Sequence, residues 1–291
     1  MKEHMLMNEQ TLSANSERFP FAKAGVYLLG LATILAGILD LIWGEFDASH
    51  QPFGALGDHV PGRLIFAYIT AVWLILAGAA IFWRRTARAG SLATAIIYFV
   101  FGLFWLPRFY TVPHILGFRF TVLMGLLGQM FLQLMVVAGA LVLYVSFAPS
   151  ASSRSQRVPV VARWTIGVGS VLCGLGHLAF VKVVAPMIPK WMPLGAAFWV
   201  VISGIAFLLA GLAILSGVLN VLAARLLGVM LLVFEVALVP LLFANPRVHI
   251  AWGANAYNLA AAGAVWLFAA SIASRHAHRA QAVSESVPRV A

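Results

Sequence analysis

The chain has 291 residues, of which 62% are hydrophobic and only 10% are charged, and its mean hydropathy is +0.95. A soluble domain usually carries about 25% charged residues, and a folded chain of this size cannot hide so much apolar surface from water. The composition excludes a water-soluble globular protein. The net charge of +10 does not indicate nucleic-acid binding, because the basic residues lie in small groups between apolar runs.

Eight runs in the sequence meet the requirement of about 20 mostly apolar residues for a bilayer-spanning helix. They predict an all-α, polytopic transmembrane bundle of about eight helices. The predicted spans are residues 24–43, 63–83, 89–107, 119–147, 161–181, 196–218, 222–243 and 250–273. A Ser-, Pro- and Arg-rich segment at 148–160 predicts a cytoplasmic linker between a first four-helix half, 23–147, and a second, 161–273.

The polar ends of the chain and its basic residues predict an orientation. Residues 1–22 lack the apolar core and cleavage site of a signal peptide, so we expect a cytoplasmic tail there and another at 274–291. With both termini inside, thirteen basic residues flank the inner side: Lys2, Arg18, Lys23, Arg84, Arg85, Arg88, Arg154, Arg157, Arg163, Arg225, Arg275, Arg279 and Arg289. Six flank the outer side: Arg63, Arg108, Arg119, Lys182, Lys190 and Arg247. This bias predicts a multi-pass protein of a cell (inner) membrane with both termini cytoplasmic.

The two predicted halves resemble each other. Residues 33–41 align with 170–178 at an offset of 137 (170 − 33), and Arg88 aligns with Arg225 at the same offset. Residues 76–81 align with 209–214 at an offset of 133 (209 − 76), and Gln133 corresponds to Asn258. These matches predict a duplicated four-helix unit whose halves are related by an axis along the membrane normal.

Glu235 is the acidic residue that the sequence places deepest in a predicted span. Its neighbours three and four positions away are all apolar, so its partner must come from another helix. A carboxylate at that depth is costly, and burial favours the neutral acid. Either it is a protonatable group in a ligand or proton path, or it is a neutral acid hydrogen-bonded between helices.

Asp40 and His177 occupy corresponding places, each on a helix face of small and polar residues. Such a face predicts either a helix–helix contact or the wall of a cavity. If the halves face each other, we expect Asp40 and His177 to come close, where the carboxylate would orient the imidazole. We also expect Gln133 and Asn258, with Gln129 and Asn255 beside them, to point inward as interhelical hydrogen-bonding groups or as the lining of a polar pocket.

The segment 185–193 contains three prolines, which rule out a regular helix. Lys190 and Trp191 suit the headgroup region of a membrane, so this segment predicts an interfacial loop, either a cap over the second half or a simple anchor. His50, Asp58, His59, His114 and His249 lie in outer loops at spacings that do not indicate a metal site. The single cysteine, Cys173, excludes an internal disulfide and a thiolate metal centre.

The second half resembles the DoxX-like family of small four-helix membrane proteins. The resemblance lies in Gly-Leu-Gly-His-Leu-Ala-Phe at 174–180, Pro-Met-Ile-Pro-Lys-Trp-Met-Pro at 186–193 and Phe-Trp at 198–199. It implies a tandem version of the unit, with a diverged first half in which Asp40 replaces the histidine. A glutamate that many members carry after the loop is replaced by Ala206-Phe207. Because some members are linked to thiosulfate:quinone oxidoreduction or thiol redox complexes, the resemblance implies a quinone or redox connection in a bacterial-type inner membrane.

Three functions remain open from the sequence. The first is a membrane module that binds a small hydrophobic molecule, such as a quinone, between its halves, with Glu235 and His177 as hydrogen-bonding or proton-handling groups. Such a module would serve as the membrane subunit of a redox complex with a partner protein. The second is a small-solute transporter in which the halves rock against each other. The third is a scaffold or assembly protein without a ligand.

Overall fold

A computed structural model describes residues 20–47, 50, 62–148 and 153–286, and within these ranges the chain is helical with no strand. The helices are α1 (Pro20–Trp43), α2 (Arg63–Ala80), α3 (Ala87–Leu103), α4 (Arg108–Leu116), α5 (Phe120–Ser146), α6 (Ser153–Ala179), α7 (Val181–Val184), α8 (Ala196–Ser216), α9 (Asn220–Ala244) and α10 (His249–Ser286). Between α7 and α8 lies a 3₁₀ turn, Ala185–Met187. Consecutive spans run in opposite directions, and we call the end of the bundle at which α1 ends the first-loop end.

Eight segments of the described chain are long and apolar enough to cross a membrane, with α3 and α4 counted as one. This confirms the predicted all-α polytopic bundle and its span count. The protein is a membrane protein by the length and composition of these helices.

The helix boundaries differ from the predicted ones in three places. The segment expected to link the halves at 148–160 is helical from Ser153 onward, where the carbonyl of Gln156 accepts a hydrogen bond from Arg275. The last helix continues to Ser286 instead of ending at 273, through a stretch whose three alanines and two arginines favour helix. The region after 107, expected to be a loop, forms α4. Apolarity locates the spans in the bilayer, but it does not mark the ends of helices that continue beyond the bilayer.

The spanning helices pack in a closed ring, and α5 and α10 also contact each other across its middle. In the first half α1 packs on α2, α2 on α3, and α3 on α5; in the second half α6 packs on α8, α8 on α9, and α9 on α10. The halves meet where α1 packs on α10, where α5 packs on α6, and where α5 packs on α10. Each contact in one half therefore has a counterpart in the other.

Glycines show that this correspondence extends to single residues. A Cβ on Gly37 would lie 2.5 Å from the carbonyl oxygen of Ala71, and a Cβ on Gly174 would lie 2.7 Å from that of Gly204. These two pairs are related by the offsets of 137 and 133 that the sequence alignment gives. Gly78 and Gly211 likewise approach Gly30 and Gly167 in the two halves, at 2.7 and 2.8 Å. Residues aligned in sequence thus make equivalent helix crossings.

The two halves are in close contact at Gly139 of α5 and Ala264 of α10. A Cβ on Gly139 would lie 2.3 Å from the Cα and Cβ of Ala264. These two residues differ by 125 positions (264 − 139), the offset that also relates Gln133 to Asn258, so a residue of α5 contacts its own counterpart in α10. The duplication of an ancestral four-helix unit stays a prediction, which this geometry fits.

We predict that Gly174→Ala destabilises the bundle by about 1–3 kcal/mol, because the added methyl group meets the backbone of α8 and forces α6 and α8 apart. Gly176→Ala is the matched control on the same helix, since a Cβ there meets nothing within 4 Å. Thermal unfolding in detergent measures both variants. Equal melting temperatures for the two variants would contradict the close crossing.

Candidate functional site

A cavity of about 450 Å³ lies in the second half, toward the first-loop end of the bundle. It is enclosed by the first turns of α5, the last turns of α6, parts of α8, α9 and α10, and the segment between α6 and α8. Its lining residues are Met124, Gly125, Gly128, Gln129, Leu132, Leu172, Cys173, Gly176, His177, Phe180, Val183, Val184, Met187, Ile188, Pro189, Met192, Ser203, Phe234, Ala237, Leu238 and Asn258. We call it the second-half cavity.

The lining of the second-half cavity is mostly apolar, with polar side chains from four helices. Three methionines and two phenylalanines stand among the leucine, valine and isoleucine residues of the apolar wall, and such groups pack well against flat rings. Gln129 is exposed, and Val183 and Met187 are 64% and 61% exposed. Because these lining residues lie at the protein surface, the cavity is open beside α5 and α7. A molecule can therefore enter it from the side of the bundle.

His177 presents one defined ring nitrogen to this cavity. Its Nδ1 lies 2.9 Å from the carbonyl oxygen of Cys173, one turn earlier on α6. A carbonyl can only accept, so Nδ1 carries the hydrogen and donates it. Nε2 is thereby left available to a ligand. The ring also packs on Phe207, at 5.2 Å between ring centroids.

Glu235 lies behind the polar wall of the cavity and is 3% exposed. Among the described residues, neither of its carboxyl oxygens has a partner in good hydrogen-bond geometry. Asn258 of α10, which lines the cavity, is the side chain that interacts with this carboxyl. The sequence analysis expected a partner on another helix, and Asn258 occupies that place.

The corresponding space in the first half is filled by the chain itself. Phe46, Asp47 and His50, in the segment after α1, are 2–3% exposed. The backbone N–H of Asp47 donates to Oδ1 of Asp40 at 3.1 Å, and the His50 ring stacks on Phe101 at 4.0 Å between centroids. We call Phe46, Asp47 and His50 the first-half plug.

Several ionisable side chains lie beside the first-half plug. Nε2 of His249 lies 3.7 Å from Oδ1 of Asp40, and Nδ1 of the same ring lies 3.7 Å from Glu45. Arg63 pairs with Glu45 at 3.4 Å, and the indole of Trp43 stacks on His249. Asp40 and His249 are the buried members of this set, and buried polar groups are stabilised when they pair with one another.

Burial in the first-half plug changes the protonation of His50. Burial lowers the pKa of His50 from 6.5 to about 4; the carboxylate of Asp47 opposes this change and the charge of His249 adds to it. His50 is therefore neutral at neutral pH. Among the described residues neither ring nitrogen has a hydrogen-bond partner.

The structure separates two residues that the sequence analysis expected to meet. Asp40 approaches His249 instead of His177, and His177 bonds to its own helix. The prediction of an Asp40–His177 contact is therefore wrong: α1 packs on α10 and α6 packs on α5, so each residue faces the other half's last helix. By the offset of 137 they are corresponding residues of the two halves.

The predicted amide pairs divide between interior and surface. Gln133 is 1% exposed, and its amide has no hydrogen-bond partner among the described residues. Asn255 is also buried and donates to the carbonyl of Ala251. Gln129 is exposed, which corrects the expectation that both glutamines point inward. Its side chain lies where the cavity opens to the surface.

The predicted interfacial loop lies beside the cavity. Lys182 and Lys190 line a neighbouring surface groove of about 540 Å³, which shares Ile188, Pro189 and Met192 with the second-half cavity. Trp191 is 64% exposed. After the 3₁₀ turn the segment is irregular up to α8, as its prolines predicted. Its contact with the membrane interface stays a prediction.

Several site residues were missed by the sequence analysis. The most important are Asp47, His50 and Tyr98 in the first half, and the role of His249. Tyr98 is buried and packs edge-on against the His50 ring, at 5.7 Å between centroids. The offset of 137 aligns Tyr98 with Glu235. Extending the alignment along α3 and α9 would therefore have identified Tyr98 as a candidate site residue. The described residues include no group of three or more His, Cys, Asp or Glu that could hold a metal; Asp58 and His59 lie outside them.

No protein-family model matches this chain, and searches of curated proteins and of solved structures found no significant match.

We predict that the free energy of unfolding falls as the pH drops from 6.5 toward 4. Below pH 6.5 the unfolded chain binds a proton at His50, whereas the folded protein binds it only as the pH approaches about 4. The loss from this one group is on the order of 3 kcal/mol. His50→Phe keeps a ring on Phe101 and removes this part of the pH dependence. His114→Phe, at an exposed histidine, is the control and should retain it. The difference in unfolding free energy between pH 7 and pH 5 is the measured quantity, and the same difference in both variants would contradict the assignment.

Proposed function

We propose that this protein binds a small hydrophobic molecule of the bilayer in the second-half cavity. The observation that carries the proposal is the open, largely apolar space of about 450 Å³ beside His177. Pockets for small molecules are typically apolar, with a few polar groups that fix orientation. His177, Ser203 and Asn258 supply such groups here. Because the cavity opens on the side of the bundle, the ligand reaches it from the membrane.

A quinone is the ligand class that we favour. Its flat ring suits the methionine and phenylalanine side chains of the wall, and its oxygens, as carbonyls or as the hydroxyls of the reduced form, suit Asn258 and His177 respectively. The resemblance to the DoxX-like family supports the same choice. On this proposal Glu235, held beside Asn258, is a proton-handling group, and the protein serves a redox complex as its membrane subunit.

The cavity and the carboxyl behind it weigh against the two alternatives. A scaffold without a ligand would gain stability by filling the cavity and by pairing Glu235 fully. A transporter with rocking halves would have to open the ligand site alternately at both ends. The contacts at Gly139 and Ala264 hold the middle of the bundle closed, so ligand binding from the membrane side fits the geometry best.

We propose that the protein lies in a cell (inner) membrane with both termini cytoplasmic, since the basic residues at the helix ends are distributed that way. The first-loop end, with the cavity, would then face outward. A cysteine introduced at the exposed Trp191, in a Cys173→Ala background, should react with a membrane-impermeant maleimide in intact cells. A cysteine at the exposed Ser153 should react only after the cells are opened. The reverse pattern would overturn the orientation.

Ligand binding is tested by native mass spectrometry of the purified protein, with organic extraction of what it carries. We expect a small apolar molecule to co-purify with the natural protein. Gly128→Leu should release it, because a Cβ at this residue of the cavity wall meets nothing within 4 Å and the longer side chain fills the space.

The matched control for this variant is Leu212→Phe, which adds bulk on α8 at a residue that is 57% exposed and does not line the cavity. It should keep the co-purified molecule. If neither the natural protein nor Leu212→Phe carries a small molecule, or if Gly128→Leu carries as much as they do, the proposed function is wrong.

A further inference from the structure

The two halves use the same space differently. By the offsets that relate the halves, Gly253 of α10 corresponds to Gly128 of α5 (128 + 125), and Phe101 of α3 corresponds to Leu238 of α9 (101 + 137). A Cβ on Gly253 would collide with the carboxyl of Asp47 in the first-half plug, whereas a Cβ on Gly128 meets nothing within 4 Å. The second-half cavity is therefore the open counterpart of the space that the plug fills.

The connection after α6 does not fill the cavity as the plug fills its counterpart. Val183 and Met187, which correspond to Phe46 and His50 at the offset of 137, are 64% and 61% exposed. Phe46 and His50 are 2% exposed. The chain thus supplies its own occupant in the first half and leaves the place open in the second.

The first-half plug shows which contacts this space makes with an occupant. One is a ring face against α3, where the imidazole of His50 stacks on Phe101 at 4.0 Å. The other is a hydrogen bond in which the occupant donates: the N–H of Asp47 donates to the carboxyl of Asp40 at 3.1 Å. The residue that corresponds to Asp40 in the cavity is His177.

His177 offers the same kind of hydrogen bond as Asp40 does. Since Nδ1 donates to Cys173, a neutral ring has its lone pair on Nε2, which accepts. No carboxylate lies within ion-pair distance of this ring among the described residues, so nothing there offsets the cost of a buried imidazolium. Asp40 and His177 therefore each present a hydrogen-bond acceptor to whatever occupies the space beside them.

We propose that the second-half cavity selects an apolar molecule with a ring hydroxyl: the ring packs against Leu238 and the hydroxyl donates to Nε2 of His177, as the first-half plug does at Phe101 and Asp40. This inference rests on the proposed function and narrows its ligand class. Phenols and the reduced, hydroxyl-bearing form of a quinone fit this description. An ether or the oxidised quinone, which can only accept, does not.

The test compares two probes that differ only in the donor, para-nonylphenol and its methyl ether, with decylbenzoquinone as a third probe. Binding to the full-length protein in detergent is titrated by native mass spectrometry. We expect the phenol to bind about tenfold more tightly than the ether, which is the effect of one buried hydrogen bond. His177→Phe should abolish the difference, whereas His177→Gln, whose side-chain carbonyl still accepts, should keep part of it.

Two further variants test whether the probes bind in the cavity. Leu212→Phe changes an exposed residue of α8 that does not line the cavity, so the preference for the phenol should persist. Gly128→Leu should weaken all three probes, which shows that they occupy the cavity and not the detergent-covered surface.

The outcomes distinguish failure of the inference from failure of the function. If the phenol and the ether bind equally, or if His177→Phe keeps the preference, the ring-hydroxyl inference is overturned. If Gly128→Leu nevertheless weakens the binding of the probes, they occupy the cavity and the proposed function stands. If none of the three probes binds and no small molecule co-purifies, both are overturned.

Discussion

The close crossing of the first two helices of each half is the contact on which the rest of the structure depends. In lipid no hydrophobic force drives helices together, so association relies on backbones that approach through small residues. Gly37 lies against Ala71, and Gly174 lies against Gly204. Asp40 and His177 follow one turn later, and the missing side chain of Gly204 leaves room for the Cβ of His177 at 3.0 Å. The crossing therefore fixes the place of the residue at the centre of each site.

The two halves have equivalent crossings but differ in what occupies the space beyond the crossing. The first half fills it with its own residues, of which Asp47 donates its backbone N–H to Asp40, at the expense of burying Asp40, Asp47 and His50 away from water. The second half leaves an apolar cavity with His177 at its wall. An empty cavity costs stability, so a protein that keeps one open at its surface gains most when a ligand occupies it.

Much of this arrangement follows from the sequence, and the remainder has identifiable causes. Hydropathy located the eight spans, and the alignment of the halves paired the crossings and placed Asn258 and Gln133 at corresponding positions. Glu235 was recognisable because a carboxylate in an apolar run stands out. The first-half plug was not recognisable in the sequence, because polar residues in a loop give no periodic signal that they will be buried. The pairing of Asp40 with His249 depends on which half's helix α1 packs against, and that is a property of the assembled ring.

The most direct measurement is a cryo-electron microscopy map of the protein extracted with its native lipids. The central claim is that one half fills its site with its own chain while the other holds a molecule from the membrane. We expect density for Asp47 and His50 against Asp40 and Phe101, and separate non-protein density in the second-half cavity within hydrogen-bond distance of Nε2 of His177. A cavity closed by Phe180 or Met187, with no such density, would contradict the claim.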